Sequence, residues 1–85
     1  MKNVLVVESD LQYSHLLKTL LIHEHYQVLV ASNGEEALKL LKTVSPDIIL
    51  TAMGMPIMSG EELINSLYDS AKGQPTIPIV MMSGT

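Results

Sequence analysis

Acidic and hydroxyl side chains that could bind a cation follow the first apolar run of the chain. Glu8, Ser9 and Asp10 come directly after Asn3 to Val7. Carboxylate oxygens in such a place are ligands that Mg²⁺ prefers. We favour a different role for Asp10, as the residue that caps the following helix, because a cap accepts backbone N–H groups at a helix start. Glu8 alone is then expected to be solvated or capped and not a metal ligand.

The stretch Pro46 to Gly60, PDIILTAMGMPIMSG, has the form of a central strand and its loop. Asp47 to Thr51 is apolar on both faces, as is typical of a strand inside a parallel sheet that helices cover on each side. Open α/β sheets place their sites in the loops at the carboxyl ends of such strands. The residue at that point is Ala52, whose methyl group carries no atom that can bind a ligand by a hydrogen bond.

Hydrophobic periodicity predicts strands and helices in strict alternation, which gives a parallel sheet with helices on both faces when the crossovers are right-handed. The first helix carries an apolar stripe at i, i+3, i+4, i+7 and i+8, which we expect to be its buried face. That stripe is Tyr13, Leu16, Leu17, Leu20 and Leu21. The predicted strands are Asn3 to Val7, Tyr26 to Ala31, Asp47 to Thr51 and Ile77 to Met82, and the predicted helices are 10–24, 34–44 and one from Ser59 to Lys72.

Capping signals support the helix boundaries. Asn33 precedes the second helix with Glu36 three residues later, which predicts a capping box. Pro46 ends that helix, because the residue before a proline is pushed out of the α region.

Composition excludes several classes of function. The chain has 85 residues, no cysteine, five basic residues that are all lysines and a formal charge of −4. One small domain is expected. Without arginine or a basic cluster, direct nucleic-acid binding is not expected. No apolar run is long enough for a membrane span or a signal peptide, so we expect a cytoplasmic protein without a membrane segment.

Three other groups of residues are expected to have ordinary structural roles and not catalytic or metal-binding ones. His15, His23 and His25 are expected on the surface and not at a metal site. The methionines of the Pro46–Gly60 stretch are expected to pack. No histidine lies at a sequence spacing from Ser9 or Ser83 that would indicate a nucleophile and its base, so a hydrolase is disfavoured. We expect no enzymatic activity.

This chain resembles response-regulator receiver domains in four segments taken together: NGEEAL, PDIIL, MPIMSGEEL and IPIVMMSG. The usual sequence of that family around the third strand is close to PDLILLDIMMPGMDG. The resemblance covers the whole chain. It implies an α/β fold of three layers, flavodoxin-like, with strand order 2-1-3-4. The fourth helix, fifth strand and fifth helix of the family would be missing, so 1–85 is interpreted as a single truncated receiver-like domain.

The resemblance also implies a phosphate pocket, which we expect to be vestigial. The acidic pair of the family falls on Glu8 and Ser9, and the phosphate-accepting aspartate falls on Ala52. The residue whose carbonyl completes the metal shell is Gly54, and the Ser/Thr position is Ser83. The strand-five lysine has no counterpart. We therefore expect no cofactor, with Mg²⁺ binding weak or absent.

The function implied is a receiver domain of two-component phosphorelay signalling that is not phosphorylated and acts through protein contacts, with a histidine kinase or an output domain as partner. One alternative is a degenerate or engineered fragment without a signalling role. Another is a small phosphate- or nucleotide-binding domain, although the first strand is not followed by a glycine-rich loop. Because Ile77 to Met82 would be an apolar edge, we also expect a homodimer through that strand.

Overall fold

Strand β1 (Asn3–Val7) lies at the centre of the sheet and is buried on both faces. Val4, Leu5, Val6 and Val7 are between 0% and 2% exposed. Side chains of a strand alternate between the two faces, so both sides of β1 must be covered for all four to be buried. The computed structural model, which describes residues 2–52, Glu62 and 77–82, shows how helices supply that cover.

The described elements follow the predicted alternation, and the strands form one parallel sheet with the order β2-β1-β3-β4. The predicted strand order is therefore confirmed. The predicted third helix lies outside the described residues apart from Glu62, which is helical. The elements after β1 are α1 (Leu11–His23), β2 (Gln27–Ala31), α2 (Gly34–Leu41), β3 (Ile48–Ala52) and β4 (Ile79–Met82).

The two helices cover opposite faces of the sheet. The chain steps from β1 outward to β2 and then back past β1 to β3, so right-handed connections place α1 on one face and α2 on the other. Ala37 of α2 packs in the core with Leu5 and Val7. Val4 and Val6 point to the opposite face, where α1 packs on β1 and β2. None of the described helices is long and apolar enough to cross a membrane.

The start of β1 is held by a pair of hydrogen bonds to the residue before β3. The N–H of Asn3 donates to a carboxylate oxygen of Asp47 at 2.7 Å. The N–H of Asp47 donates to the carbonyl of Asn3 at 2.8 Å. These bonds join the start of β1 to the residue before β3, which begins at Ile48, so Asp47 lies just before the strand and not within it as predicted.

The predicted buried stripe of α1 is wrong in part. Leu16 and Leu20 are 53% and 55% exposed, whereas Ser14 is only 4% exposed. Leu17 and Leu21 are half-buried, as expected of the face next to the sheet. The buried face is therefore centred on 14, 17 and 21. The Ser14 hydroxyl avoids an unpaired polar group by donating to the carbonyl of Leu11 at 3.1 Å.

Both predicted helix caps are confirmed. One carboxylate oxygen of Asp10 accepts the N–H groups of Gln12 and Tyr13 at 3.0 and 3.1 Å. The side-chain oxygen of Asn33 accepts the N–H of Glu36 at 2.8 Å. The return bond of the predicted capping box is different, because Glu36 reaches the Ser32 hydroxyl at 2.8 Å and the Ser32 N–H at 3.4 Å.

The helices end in different ways. Helix α2 ends at Leu41, earlier than the predicted 44, because Lys42 and Thr43 donate to carbonyls three residues back. Helix α1 ends at His23, and His25, two residues later, is in the left-handed region at φ 70. The N–H of His25 donates to Ile22 and the N–H of Tyr26 donates to Leu21, which is the Schellman arrangement. Glycine is the usual residue at the left-handed position of that motif.

We expect His25→Gly to stabilise the protein. A β-carbon in the left-handed region costs about 1–2 kcal/mol, and the larger entropy of an unfolded chain with glycine cancels about 0.5–1 kcal/mol of the gain. The net rise in the free energy of unfolding should be roughly 0.5–1 kcal/mol, measured by urea denaturation. His25→Ala is the matched control, because it removes the imidazole and keeps the β-carbon. Equal stabilisation by both variants would contradict the backbone explanation.

We expect Asp10→Ala to destabilise the protein by about 1 kcal/mol, because two N–H groups of the first turn of α1 lose their acceptor. Asp10→Asn is the control that keeps a capping oxygen without the charge, and it should lose only a few tenths of a kcal/mol. Denaturant midpoints of the two variants measure this difference. An equal loss in both would show that the charge of Asp10, and not its capping bond, is what matters.

Candidate functional site

The carboxyl ends of three parallel strands bring the predicted site residues to one edge of the sheet. Val7 is paired with Ala31 on one side and with Thr51 on the other. One step further along these registers, Glu8 is level with Ser32 and Ala52. The N–H of Glu8 donates to the carbonyl of Ala31 at 2.9 Å, so the chain is still held to the sheet at this residue. Glu8 and Ala52 are thus neighbours at this edge.

Glu8 is half-buried, and one of its carboxylate oxygens is already in use. It accepts the N–H of Asp10 at 3.3 Å. This long bond ties the carboxylate back to its own loop. A cation at Glu8 would have to share the carboxylate with that N–H group.

The two residues after Glu8 do not add a second inward-facing acid. Ser9 is exposed. Asp10 is also exposed, and its carboxylate is engaged at the start of α1. The loop after β1 therefore offers one carboxylate next to Ala52. Within residues 2–52, Glu62 and 77–82, no group of three His, Cys, Asp or Glu residues could hold a metal ion.

Ala52 lies at the end of β3 with its methyl group buried at 5% exposure. It is paired in the sheet with Met82 of β4. Thr51, just before it, is fully buried, and its hydroxyl donates to the Ala52 carbonyl at 3.2 Å. Because side chains alternate along a strand, Thr51 faces the α2 side and Ala52 faces the α1 side. The Thr51 hydroxyl is thus on the opposite face of the sheet from Ala52.

A second cluster of polar residues lies at this edge and was not predicted from the sequence. Ser32, Asn33 and Glu36 follow β2, and the Ser32 hydroxyl donates to Glu36 at 2.8 Å. The capping-box signal pointed to Asn33 and Glu36 but not to Ser32, which has no sequence feature that marks it. All three side chains serve the start of α2, so they add local structure and not a catalytic group.

The remaining predicted site residues are distributed as follows. Gly54, Ser83 and the methionines of the loop after β3 lie outside the described residues. His15, His23 and His25 are exposed, as predicted. Of the described lysines, Lys2 precedes β1, Lys18 lies within α1, and Lys39 and Lys42 lie in the last turn and at the end of α2. Helices of a parallel α/β sheet run opposite to the strands, so Lys39 and Lys42 are at the far end of the sheet from Ala52.

The comparisons with known proteins agree with this fold. The sequence-family model of the response regulator receiver domain matches residues 4–85 of this chain. An uncharacterised 14.6 kDa protein of Leptolyngbya boryana is 36% identical over 81 residues, which cover 95% of this chain and 61% of that protein. The two-component response regulator-like protein APRR7 of Arabidopsis thaliana is 38% identical over 82 residues, which cover 94% of this chain and 11% of that protein.

Among solved structures, the response regulator TrrA of Thermotoga maritima, in complex with Mg²⁺-BeF, superposes with a TM-score of 0.87 at 32% identity. The match covers 100% of this chain and 71% of that chain. The chain spans only part of the length of each of these relatives. The family match extends from β1 to the last residue, and the observed strand order is that of a receiver. This chain therefore belongs to the response regulator receiver domain family of two-component signalling.

Proposed function

We propose that this chain is a receiver domain that does not accept phosphate and that acts through protein contacts. The observation that carries the proposal is the buried methyl group of Ala52 at the carboxyl end of β3, next to Glu8. By the resemblance, this is the position of the phosphate-accepting aspartate. An alanine side chain has no atom that can form a bond to phosphorus.

The charge balance at the edge also opposes phosphoryl chemistry. Phosphoryl transfer depends on cations that neutralise the phosphate oxygens and on acids that hold the metal. Glu8 supplies one carboxylate, Ser9 replaces the second acid of the family pair, and Ala52 replaces the third. One charge pair at contact is worth about 4 kcal/mol at an effective dielectric constant near 20. Loss of two acids should therefore reduce Mg²⁺ affinity severely.

TrrA provides a comparison for the metal and phosphate site. That receiver was solved with Mg²⁺-BeF, and this chain shares 32% of its residues in the superposition. We propose that the corresponding edge of this chain, formed by Glu8, Ser9 and Ala52 with Gly54 and Ser83, is a vestigial pocket that does not hold the metal or the phosphate. The chain is accordingly proposed to have no enzymatic activity.

Exposed apolar side chains on α1 support action through protein contacts. Leu11, Leu16, Leu20 and Ile22 are each more than half exposed, on a helix whose other face packs on the sheet. Leu16 and Leu20 are four residues apart, so they lie next to each other on one exposed side of α1 and could take part in a protein contact. Receiver domains interact with histidine kinases and output domains, and we propose one of these as the partner. Direct contact with nucleic acid is not proposed, because the chain lacks arginine.

We further propose that two copies associate through Ile77 to Met82. Strand β4 pairs with β3 on one side, and the described residues contain no strand on its other side. An unpaired apolar strand edge is a template for pairing with another chain.

We expect the native chain to remain unphosphorylated when it is incubated with acetyl phosphate and Mg²⁺, because Ala52 cannot form an acyl phosphate. Intact-mass spectrometry of samples quenched in the cold without base measures this directly, because an acyl phosphate is hydrolysed by base. The Ala52→Asp variant should gain little label, since Ser9 still leaves the metal short of an acid. Ser9→Asp/Ala52→Asp is the matched control, because it returns both acids and should be labelled more than the single variant.

A stoichiometric gain of one phosphoryl group by the native chain would overturn the proposal. Rapid Mg²⁺-dependent labelling of Ala52→Asp alone would show that Glu8 suffices to hold the metal. Circular dichroism of each variant confirms that an unlabelled sample is still folded.

A further inference from the structure

Asn33 and Gly34, at the start of α2, form the one asparagine–glycine pair of the sequence. An asparagine in such a pair can react with its own backbone. The nitrogen of the next residue attacks the side-chain carbonyl carbon, Cγ, and ammonia leaves as a succinimide ring closes. Water then opens the ring at one of its two carbonyls, which gives aspartate or β-linked isoaspartate. Glycine permits the attack because it has no β-carbon to obstruct it.

The backbone of Asn33 has the wrong rotation for this ring. Closure requires the Gly34 nitrogen to lie nearly eclipsed with the β-carbon of Asn33 about the Cα–C bond. Asn33 has ψ 175, which places the Gly34 nitrogen opposite the Asn33 nitrogen and staggered between the β-carbon and the α-hydrogen. The reaction therefore needs a rotation of ψ, and this rotation swings the peptide group that joins the two residues.

Two features of the folded chain oppose that swing. The carbonyl of Asn33 accepts the N–H of Ala37 at 3.1 Å, which is the first backbone hydrogen bond of α2. Gly34 is buried. A rotation of ψ at Asn33 would break the bond to Ala37 and would move a buried part of the backbone.

The side-chain amide of Asn33 is also held in place. Its oxygen accepts the N–H of Glu36 at 2.8 Å, and the carboxylate of Glu36 accepts the Ser32 hydroxyl at 2.8 Å. A donor on the amide oxygen draws electrons from Cγ and favours attack, but only once the Gly34 nitrogen can reach that carbon. The geometry therefore outweighs this activation as long as α2 keeps its first turn.

We propose that Asn33–Gly34 is a deamidation site that the first turn of α2 keeps unreactive, so that the reaction follows local opening of this turn. Local openings cost less free energy than global unfolding. When opening and closing are faster than the chemical step, the rate is proportional to the open fraction. The inference does not depend on the proposed signalling role of the chain.

The two products should affect α2 differently. Aspartate at position 33 keeps a side-chain oxygen, and aspartate caps a helix about as well as asparagine does. Isoaspartate adds a carbon to the backbone between β2 and α2, so the bond that Asn33 accepts from Glu36 cannot form with its present geometry. Isoaspartate should therefore loosen the start of α2.

The test compares the deamidation rate of the full chain in mildly basic native buffer with the rate in guanidinium chloride. Cleavage after glutamate releases residues 25–35, in which mass spectrometry with fragmentation locates the change at Asn33 and chromatography separates the two products. We expect the native reaction to be at least about tenfold slower, because hydrogen bonds must break before the ring can close. Asn3 is the internal reference, and it should react slowly even when denatured because Val4 is β-branched.

Lys39→Gly distinguishes local from global opening. Lys39 is exposed in the last turn of α2, and glycine there lowers helix propensity and removes a weak ion pair with Glu35 without touching the reacting pair. Lys18→Gly is the matched control, because it makes the same change at an exposed position of α1. We expect Lys39→Gly to speed the native-state reaction about threefold and Lys18→Gly to leave it unchanged. Circular dichroism verifies that both variants are folded.

Each contrary result has a definite meaning. Equal rates in the native and the denatured chain would overturn the proposed protection, and an absence of reaction in the denatured chain would overturn the assignment of the site. Equal acceleration by Lys39→Gly and Lys18→Gly would show that only global unfolding exposes the pair, which would contradict local opening.

Discussion

Burial of β1 on both faces is the constraint on which the rest of the described structure depends. A strand with four consecutive residues at 0% to 2% exposure needs a neighbour on each side and a helix on each face. Strands β2 and β3 fill the two sides, and α1 and α2 cover the two faces. The same parallel arrangement brings the ends of β1, β2 and β3 to one edge, so the position of the candidate site follows from the core.

Scaffold and chemistry are separable in this domain. The sheet is stabilised by apolar residues and the helices by Asp10 and Asn33, and none of these interactions needs a phosphate or a metal. A carboxylate buried at position 52 would cost free energy unless a cation paired with it. The methyl group of Ala52 carries no such cost. The described scaffold therefore does not depend on a carboxylate at position 52.

The order and type of the described elements could be predicted from sequence, because strands apolar on both faces and capped helices are local signals. Asp10 and Asn33 were assigned correctly for that reason. The apolar stripe of α1 was less informative. An apolar arc shows which residues can be buried, but the sheet decides which ones are, and here the small side chain of Ser14 lies against it while Leu16 and Leu20 are exposed.

The site could be predicted in position but only partly in detail. Sequence spacing placed Glu8 and Ala52 at strand ends, and the sheet register then made them neighbours. The bond from Asp10 to the Glu8 carboxylate and the Ser32–Glu36 pair depend on loop conformation, which no periodicity encodes. Strand boundaries shifted by one or two residues for the same reason, since a ladder ends where its partner ends and not where the apolar run does.

The most direct test of the central claim is a titration of the native chain with Mg²⁺ and beryllofluoride, followed by amide NMR shifts of Glu8, Thr51 and Ala52. A receiver fold without its phosphate chemistry should show no saturable shift at these amides at millimolar Mg²⁺, while the spectrum stays that of a folded protein. Saturable shifts confined to this edge would contradict the account, because they would show that the remaining groups still assemble a metal–phosphate site.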